Sequence, residues 1–158
     1  MSVKFCRIDD RLIHGQVVTT WVNVYKIEQV IIINKAVEQD KIQSSVLKMS
    51  VPPNIKLHIF SPEKFLEIID KNPITRATML LFSSPFDVEK LVIAGYPIPK
   101  LNVGGMRGNE TRTKITKAVF VTPEERKVFE RLMALGMDVE IQMVPSEAPV
   151  KMSEVIRV

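Results

Sequence analysis

Cysteine is almost missing from this chain: Cys6 stands alone among 158 residues, which excludes an intrachain disulfide and fits a reducing compartment. Histidine is nearly as scarce. His14 and His58 lie far from each other, and neither forms a metal-ligand spacing with Cys6, so no metal site is expected. The 6 glycines make no Rossmann fingerprint, no Gly-Lys-Ser/Thr sequence exists to form a phosphate loop, and a Gly-x-Ser-x-Gly elbow is also lacking. Nucleotide binding and serine hydrolysis are therefore unsupported, and no cofactor is expected. The longest apolar runs, at 30–33 and 79–82, fall far short of the roughly 18 residues that a membrane span requires. Lys4, Arg7 and Asp9 interrupt the amino-terminal region where a secretory signal would be apolar, so the expected location is the cytoplasm. The net charge of +4 is dispersed, with no basic tract interleaved with aromatics. That argues against nucleic acid and leaves room for an acidic protein partner.

What remains is an ordinary globular composition, 46% apolar and 25% charged, in a length that suits one domain. Hydrophobic periodicity predicts strands over 3–8, 29–34, 55–60, 77–82, 100–103, 117–121 and 139–144. Helices are predicted between them over 14–25, 39–49, 62–70, 88–94 and 123–135. Pro62 and Pro123 follow Ser61 and Thr122 as first-turn prolines follow caps, and Gly136 fits a helix stop. The alternation predicts a three-layer α/β/α fold, with a mostly parallel central sheet of about six or seven strands. After the linker-like 145–149, residues 151–158 are expected to form a short terminal element.

The densest chemistry lies in Arg7-Ile8-Asp9-Asp10-Arg11-Leu12-Ile13-His14-Gly15-Gln16-Val17, between the first strand and the first helix. His14 is placed at the amino end of that helix, above the carboxyl end of the strand, where open α/β sheets bind their ligands. Free backbone N–H groups and the helix dipole favour an anion there. A neutral imidazole can accept a phosphoryl group, and Arg11 can set a planar cationic fork against its oxygens. Asp9 or Asp10 can hold Arg11 or orient the loop, and each serves equally well as a cap or turn residue.

This segment resembles the phosphorylation signature of the mannose/fructose/sorbose family of IIB components of the bacterial phosphotransferase system (PTS). The runs 100–107, 114–121 and 140–145 match further motifs of that family in order, so the resemblance covers residues 1–158 as a single IIB domain. Residues 108–114 depart from the Glu-Gly-Lys-like run expected there. The resemblance implies a sugar-specific phosphocarrier, an enzyme of the protein-phosphohistidine–sugar phosphotransferase class, with attachment expected on Nδ1 of His14. A phosphorylated IIA domain or protein would supply the phosphoryl group. Permease subunits of the IIC and IID types would hold the sugar, with this chain associating peripherally. Mannose, fructose, sorbose and amino sugars all remain compatible, and homo-oligomerisation is left open. Two other readings compete with it: a non-enzymatic module binding an anion or phosphoprotein, and a small nucleotide-binding α/β protein.

The remaining candidates each have a plain structural rival. Ser83 and Ser84 can offer donors to phosphate at the same sheet edge or simply cap a helix. Gly104 and Gly105 can let a ligand or partner approach the backbone or merely serve a turn, and Arg107 would add charge at a docking rim. Gly15 belongs to the phosphate-loop candidates beside His14. His58 and Cys6, both within predicted strands, are read as structural.

Overall fold

The computed structural model describes residues 2–156. Nine strands and seven helices follow in the order β1 Val3–Asp9, α1 Gly15–Tyr25, β2 Gln29–Ile33, α2 Lys35–Gln39, α3 Lys41–Ser50, β3 Lys56–Phe60, α4 Pro62–Lys71 and β4 Thr78–Phe82. The chain continues through α5 Pro85–Ile93, β5 Lys100–Gly105, β6 Thr113–Thr116, β7 Val119–Val121, α6 Pro123–Ala134, β8 Asp138–Ile141, β9 Val150–Lys151 and α7 Met152–Val155. The central sheet has 7 strands in the order β3-β2-β4-β1-β5-β8-β9. Its first six strands are mutually parallel, and only β9 runs antiparallel, against β8.

Helix burial divides the molecule into three layers. Val18, Trp21 and Val22 of α1, Val37 of α2 and Leu47 of α3 pack on one face of the sheet with Phe5, Val30 and Ile32. Phe65 of α4, Val88 and Leu91 of α5, Val128 and Phe129 of α6 and Met152 of α7 cover the other face over Ile8, Leu80 and Val103. The chain leaves β1 through α1 on one face to reach β2, and leaves β4 through α5 on the other face to reach β5. Since β1 and β4 are neighbours, these opposite departures open a crevice at their carboxyl ends.

Caps explain most of the helix boundaries. Ser61 and Thr122 accept hydrogen bonds from Lys64 N and Glu125 N, and Thr122 with Glu125 completes a reciprocal capping box. Two predicted helices differ in the structure. The helix expected over 39–49 is α3, which starts at Lys41 because Asp40 is extended and caps it through Gln43 N; the short α2 before it, capped by Asn34 through Val37 N, was not expected. The helix expected from Val88 begins at Pro85, since Ser84 caps Phe86 N and the proline occupies the first turn.

The predicted strand over 117–121 does not join the main sheet. It shortens to β7, which pairs antiparallel with β6 in a separate ribbon, tied to the end of β5 by a bridge between Met106 and Val119. β6 escaped detection because Thr113-Lys-Ile-Thr116 is mostly polar, with Thr113 and Lys114 exposed and the next two residues half-buried, without alternating burial. The terminal element is β9 followed by α7; residues 157 and 158 of the expected segment lie outside the described residues.

Candidate functional site

Alternation along β1 sends Phe5, Arg7 and Asp9 to one face. Phe5 stacks on Trp21 with ring centroids 4.6 Å apart, as a core residue should. Arg7 continues the column as a cation that is only 1% exposed. Desolvating a guanidinium costs several kcal/mol, so its partners must be nearly complete. Nη1 donates to Asn102 Oδ1 at 2.6 Å and Gln142 O at 3.1 Å; Nη2 donates to Met143 O at 3.0 Å and Asp9 Oδ2 at 3.1 Å. The guanidinium also lies over the Trp21 ring, 5.4 Å from its centroid. Burial draws the Arg7 pKa down, and the charge and hydrogen bond of Asp9 oppose it.

Asp9, fully buried at the end of β1, is the hub of the site. Its Oδ1 accepts from Arg11 N at 3.1 Å and Arg11 Nε at 3.2 Å. Its Oδ2 faces His14 Nε2 at 3.1 Å in addition to Arg7, with Arg11 Nη2 at 3.4 Å. Burial alone would raise the Asp9 pKa, but hydrogen bonds from His14 and Arg11 and the charge of Arg7 hold it below the usual carboxylate range. Asp9 is therefore an anion at neutral pH. A carboxylate only accepts, so Nε2 carries the proton of this contact, and in the neutral ring the free lone pair is on Nδ1.

The loop between Asp9 and α1 is set by backbone geometry. Leu12 N donates to Asp9 O at 2.9 Å, and Leu12, buried at 4% exposure, adopts the left-handed region with φ 58°. Such a conformation in a branched residue is strained and persists only where burial holds it, as at ligand sites. Gly15 follows with φ 49°, and open space around its α-carbon shows that its need for glycine is conformational. His14 occupies the N-cap of α1 with extended backbone and makes no side-chain cap hydrogen bond. The first N–H groups of α1 thus keep their capacity to bind an anion. Arg11 is one-third exposed, and its Nη1 makes no hydrogen bond among the described residues.

A second network lies beside the first. Asp10 Oδ2 accepts from Arg107 N at 2.8 Å and Arg112 Nη1 at 3.2 Å. Its Oδ1 lies 3.3 Å from Arg107 Nε but off the hydrogen-bonding direction, which leaves an ion pair and a buried oxygen without a donor. Arg112 also grips Glu125 through Nε and Nη2 at 3.0 and 2.9 Å and donates to Arg107 O at 2.8 Å. Burial opposes its charge, yet Glu125 and Asp10 raise its pKa. The segment 108–114 thus pins the ribbon and α6 to the loop that carries Arg11.

Asp9, Arg11 and His14 are therefore in direct contact, and Asp10 joins Arg107. Gly104 and Gly105 need correction as a loop: both are buried final residues of β5. A side chain on Gly104 would overlap the Arg7 guanidinium, and a Cβ on Gly105 would lie 3.2 Å from Arg11 Nη2. Ser84 is a helix cap, and Ser83 Oγ accepts from Asn34 Nδ2 at 2.6 Å. Neither serine bonds to Asp9, Arg11 or His14 among the described residues. Sequence reasoning missed Arg7 and Arg112 as site components. The signal for Arg7 was a cation at a core-facing position of β1, whereas Arg112 meets partners 102 and 13 residues away and leaves no local trace. His58 stands exposed on the edge strand β3 and stacks on Phe60, while burial and the charges of Lys56, Lys48 and Arg76 lower its pKa. Burial pushes the Cys6 thiol up to about 12, so it is no thiolate at neutral pH.

An imidazole in contact with a buried carboxylate, with an arginine beside it, thus stands at the carboxyl edge of a doubly wound sheet, an arrangement suited to handling an anionic group. Comparison with known proteins makes the class specific. The family model for the PTS system sorbose subfamily IIB component matches residues 3–158. The chain is 35% identical over 158 residues to the PTS system fructose-specific EIIB component of Bacillus subtilis, covering 99% of this chain and 97% of that protein. It is 34% identical to the PTS system mannose-specific EIIAB component of Escherichia coli, where the match spans 99% of this chain and 49% of that longer protein. The solved IIBSor domain of the sorbose permease from Klebsiella pneumoniae superposes with a TM-score of 0.93 at 34% identity, covering 99% and 96% of the two chains. The chain belongs to the sorbose subfamily of PTS IIB components. It is accordingly a sugar-specific phosphocarrier domain and a transferase of sugar uptake, in a system where IIB components work with IIA and IIC/IID partners. Among the described residues no helix is long and apolar enough to cross a membrane.

Proposed function

We propose that the chain, as one IIB domain over 1–158, accepts a phosphoryl group on Nδ1 of His14 from the phosphohistidine of a IIA partner. It then passes the group to a sugar held by IIC and IID permease subunits, at which it docks from the cytoplasm. The observation that carries this reading is the 3.1 Å contact between Asp9 Oδ2 and His14 Nε2, which leaves Nδ1 as the nucleophilic nitrogen. In the first step the donor's P–N bond breaks with its electron pair returning to the donor ring, while a P–Nδ1 bond forms. The His14 ring then carries a positive charge, which the ionised Asp9 balances through the Nε2 proton. Arg11 neutralises the moving phosphoryl oxygens. In the second step a sugar hydroxyl attacks phosphorus, the P–Nδ1 pair returns to the imidazole, and the hydroxyl proton goes to a base of the permease or to water. Arg107 and the carboxyl edge around it form the docking rim. The reading as a non-enzymatic binding module has no observation in its favour.

Incubation with phosphoenolpyruvate and the upstream carriers tests this proposal. The expected product is a singly phosphorylated, acid-labile protein whose phosphorus and proton NMR report Nδ1 substitution, and His14→Ala should abolish it. A label that persists in that variant, or maps to His58, overturns the assignment.

A further inference from the structure

A cavity of about 580 Å³ lies away from His14. It opens at the amino edge of the sheet, where residues 3–6 of β1 form a wall and Lys100 begins β5. The size falls within the roughly 300–1,000 Å³ of small-molecule sites.

The lining has a definite chemistry. Phe5 and Tyr25, stacked at 4.6 Å, face it from one side of β1, and Tyr96 faces it from the other. Burial pushes the Tyr96 phenol up to about 12, as it does the Cys6 thiol in the same wall, so both are neutral. Two cations, Lys4 and Lys100, border the cavity, and no carboxylate does. Lys4 is exposed, and Lys100 lies 3.4 Å from Glu140 outside the lining. Aromatic walls with cations at the mouth suit a flat apolar body carrying an anionic head.

We infer that the amino-edge cavity binds a small amphipathic organic anion, its apolar body among Phe5, Tyr25 and Tyr96 and its anionic head at Lys4 and Lys100, and that occupancy is communicated to Asp9. The path is short. Asn102 is part of the cavity wall, its Oδ1 accepts from Arg7 Nη1 at 2.6 Å, and Arg7 Nη2 donates to Asp9 Oδ2 at 3.1 Å. A ligand that draws on the Asn102 amide competes with Arg7 and loosens the carboxylate that orients His14. The binding site stands apart from the phosphocarrier reading; its effect on transfer rests on that reading.

The probe is 8-anilinonaphthalene-1-sulfonate, an aromatic monoanion, with its emission and that of Trp21 followed together, since Trp21 stacks against Tyr25. Saturable one-to-one binding is expected, weakened about tenfold by Lys4→Glu and by raised salt, and abolished by Ile74→Trp, which fills the cavity. Lys4 is exposed, so its variant remains informative even if the filled variant does not fold. Binding unchanged in folded variants, or no saturable binding, overturns the site. Saturation should also change the rate of His14 phosphorylation at least about threefold. Binding with an unchanged rate overturns the communication, whereas failure of the probe-free protein to be phosphorylated at all counts against the phosphocarrier reading instead.

Discussion

The guanidinium of Arg7 lies directly over the α-carbon of Gly104, close enough that a methyl group there would overlap it. The two residues occupy adjacent strands, Arg7 in β1 and Gly104 in β5, and share the face covered by α1. Glycine here seats an arginine. The buried arginine in turn supports Asp9 and, through it, His14.

Gly104→Ala should therefore act as a core mutation. Displacing a buried ion pair and its hydrogen bonds is expected to lower stability by at least about 3 kcal/mol. Gly105→Ala presses on the outer end of Arg11 and meets Asp9 only at ordinary contact distance, so it should cost less than about 1 kcal/mol, while slowing phosphoryl exchange. Urea denaturation of both variants checks the contrast; equal stabilities would remove Arg7 from this role.

The depressed pKa of Asp9 predicts an acid dependence of stability. Because the folded value lies below the unfolded value of about 3.9, the contribution is complete above that unfolded value and is lost as pH falls through the folded one. Asp9→Asn should be less stable at neutral pH and flatter in its acid decline. Unfolding free energies measured from neutral pH down to about pH 2 will show it, and parallel curves for the two proteins would contradict the assignment.

Arg11 separates transfer from folding. Its side chain is 33% exposed, so Arg11→Ala and Arg11→Lys are expected to change stability by under about 1 kcal/mol. Both should slow phosphoryl gain and donation, lysine because it keeps charge without the planar fork. Rapid-quench rates near wild type in both variants would sink the clamp.

Arg112 is expected to hold the ribbon in place. Arg112→Met removes the hydrogen bonds to Asp10, Glu125 and Arg107 O, at a cost of about 3 kcal/mol for a mostly buried pair left with one partner. Amide exchange should accelerate in β6 and β7 before it does in β1. Unchanged protection in the ribbon would reassign that loop to the surface alone.

The layers were legible because they follow from patterns a sequence carries openly: short continuous apolar strands such as 29–34, and Ser61-Pro62 and Thr122-Pro123 as helix starts. The contact of Asp9, Arg11 and His14 was within reach for the same reason, since all three fall within six residues. What stayed hidden depends on long-range pairing. Gly104 reads as turn chemistry until Arg7 is placed across the strand, and Arg112 reads as a divergence until Asp10 and Glu125 meet it. The short α2 went unseen because a cap such as Asn34 and an ordinary polar residue look alike within one chain.

His14 holds the position at the head of α1 that serine, threonine, asparagine or aspartate usually takes, and its ring is turned to Asp9 rather than to the helix. The first helix is consequently unfinished in the resting protein by about 1 kcal/mol, the usual worth of a side-chain cap. On the proposed function, a phosphoryl group on Nδ1 would bring oxygen acceptors to that same end. The cargo would then become the helix's own cap, so the loaded carrier is expected to have a tighter first turn than the empty one, and handing the group on would leave α1 open again for the next round.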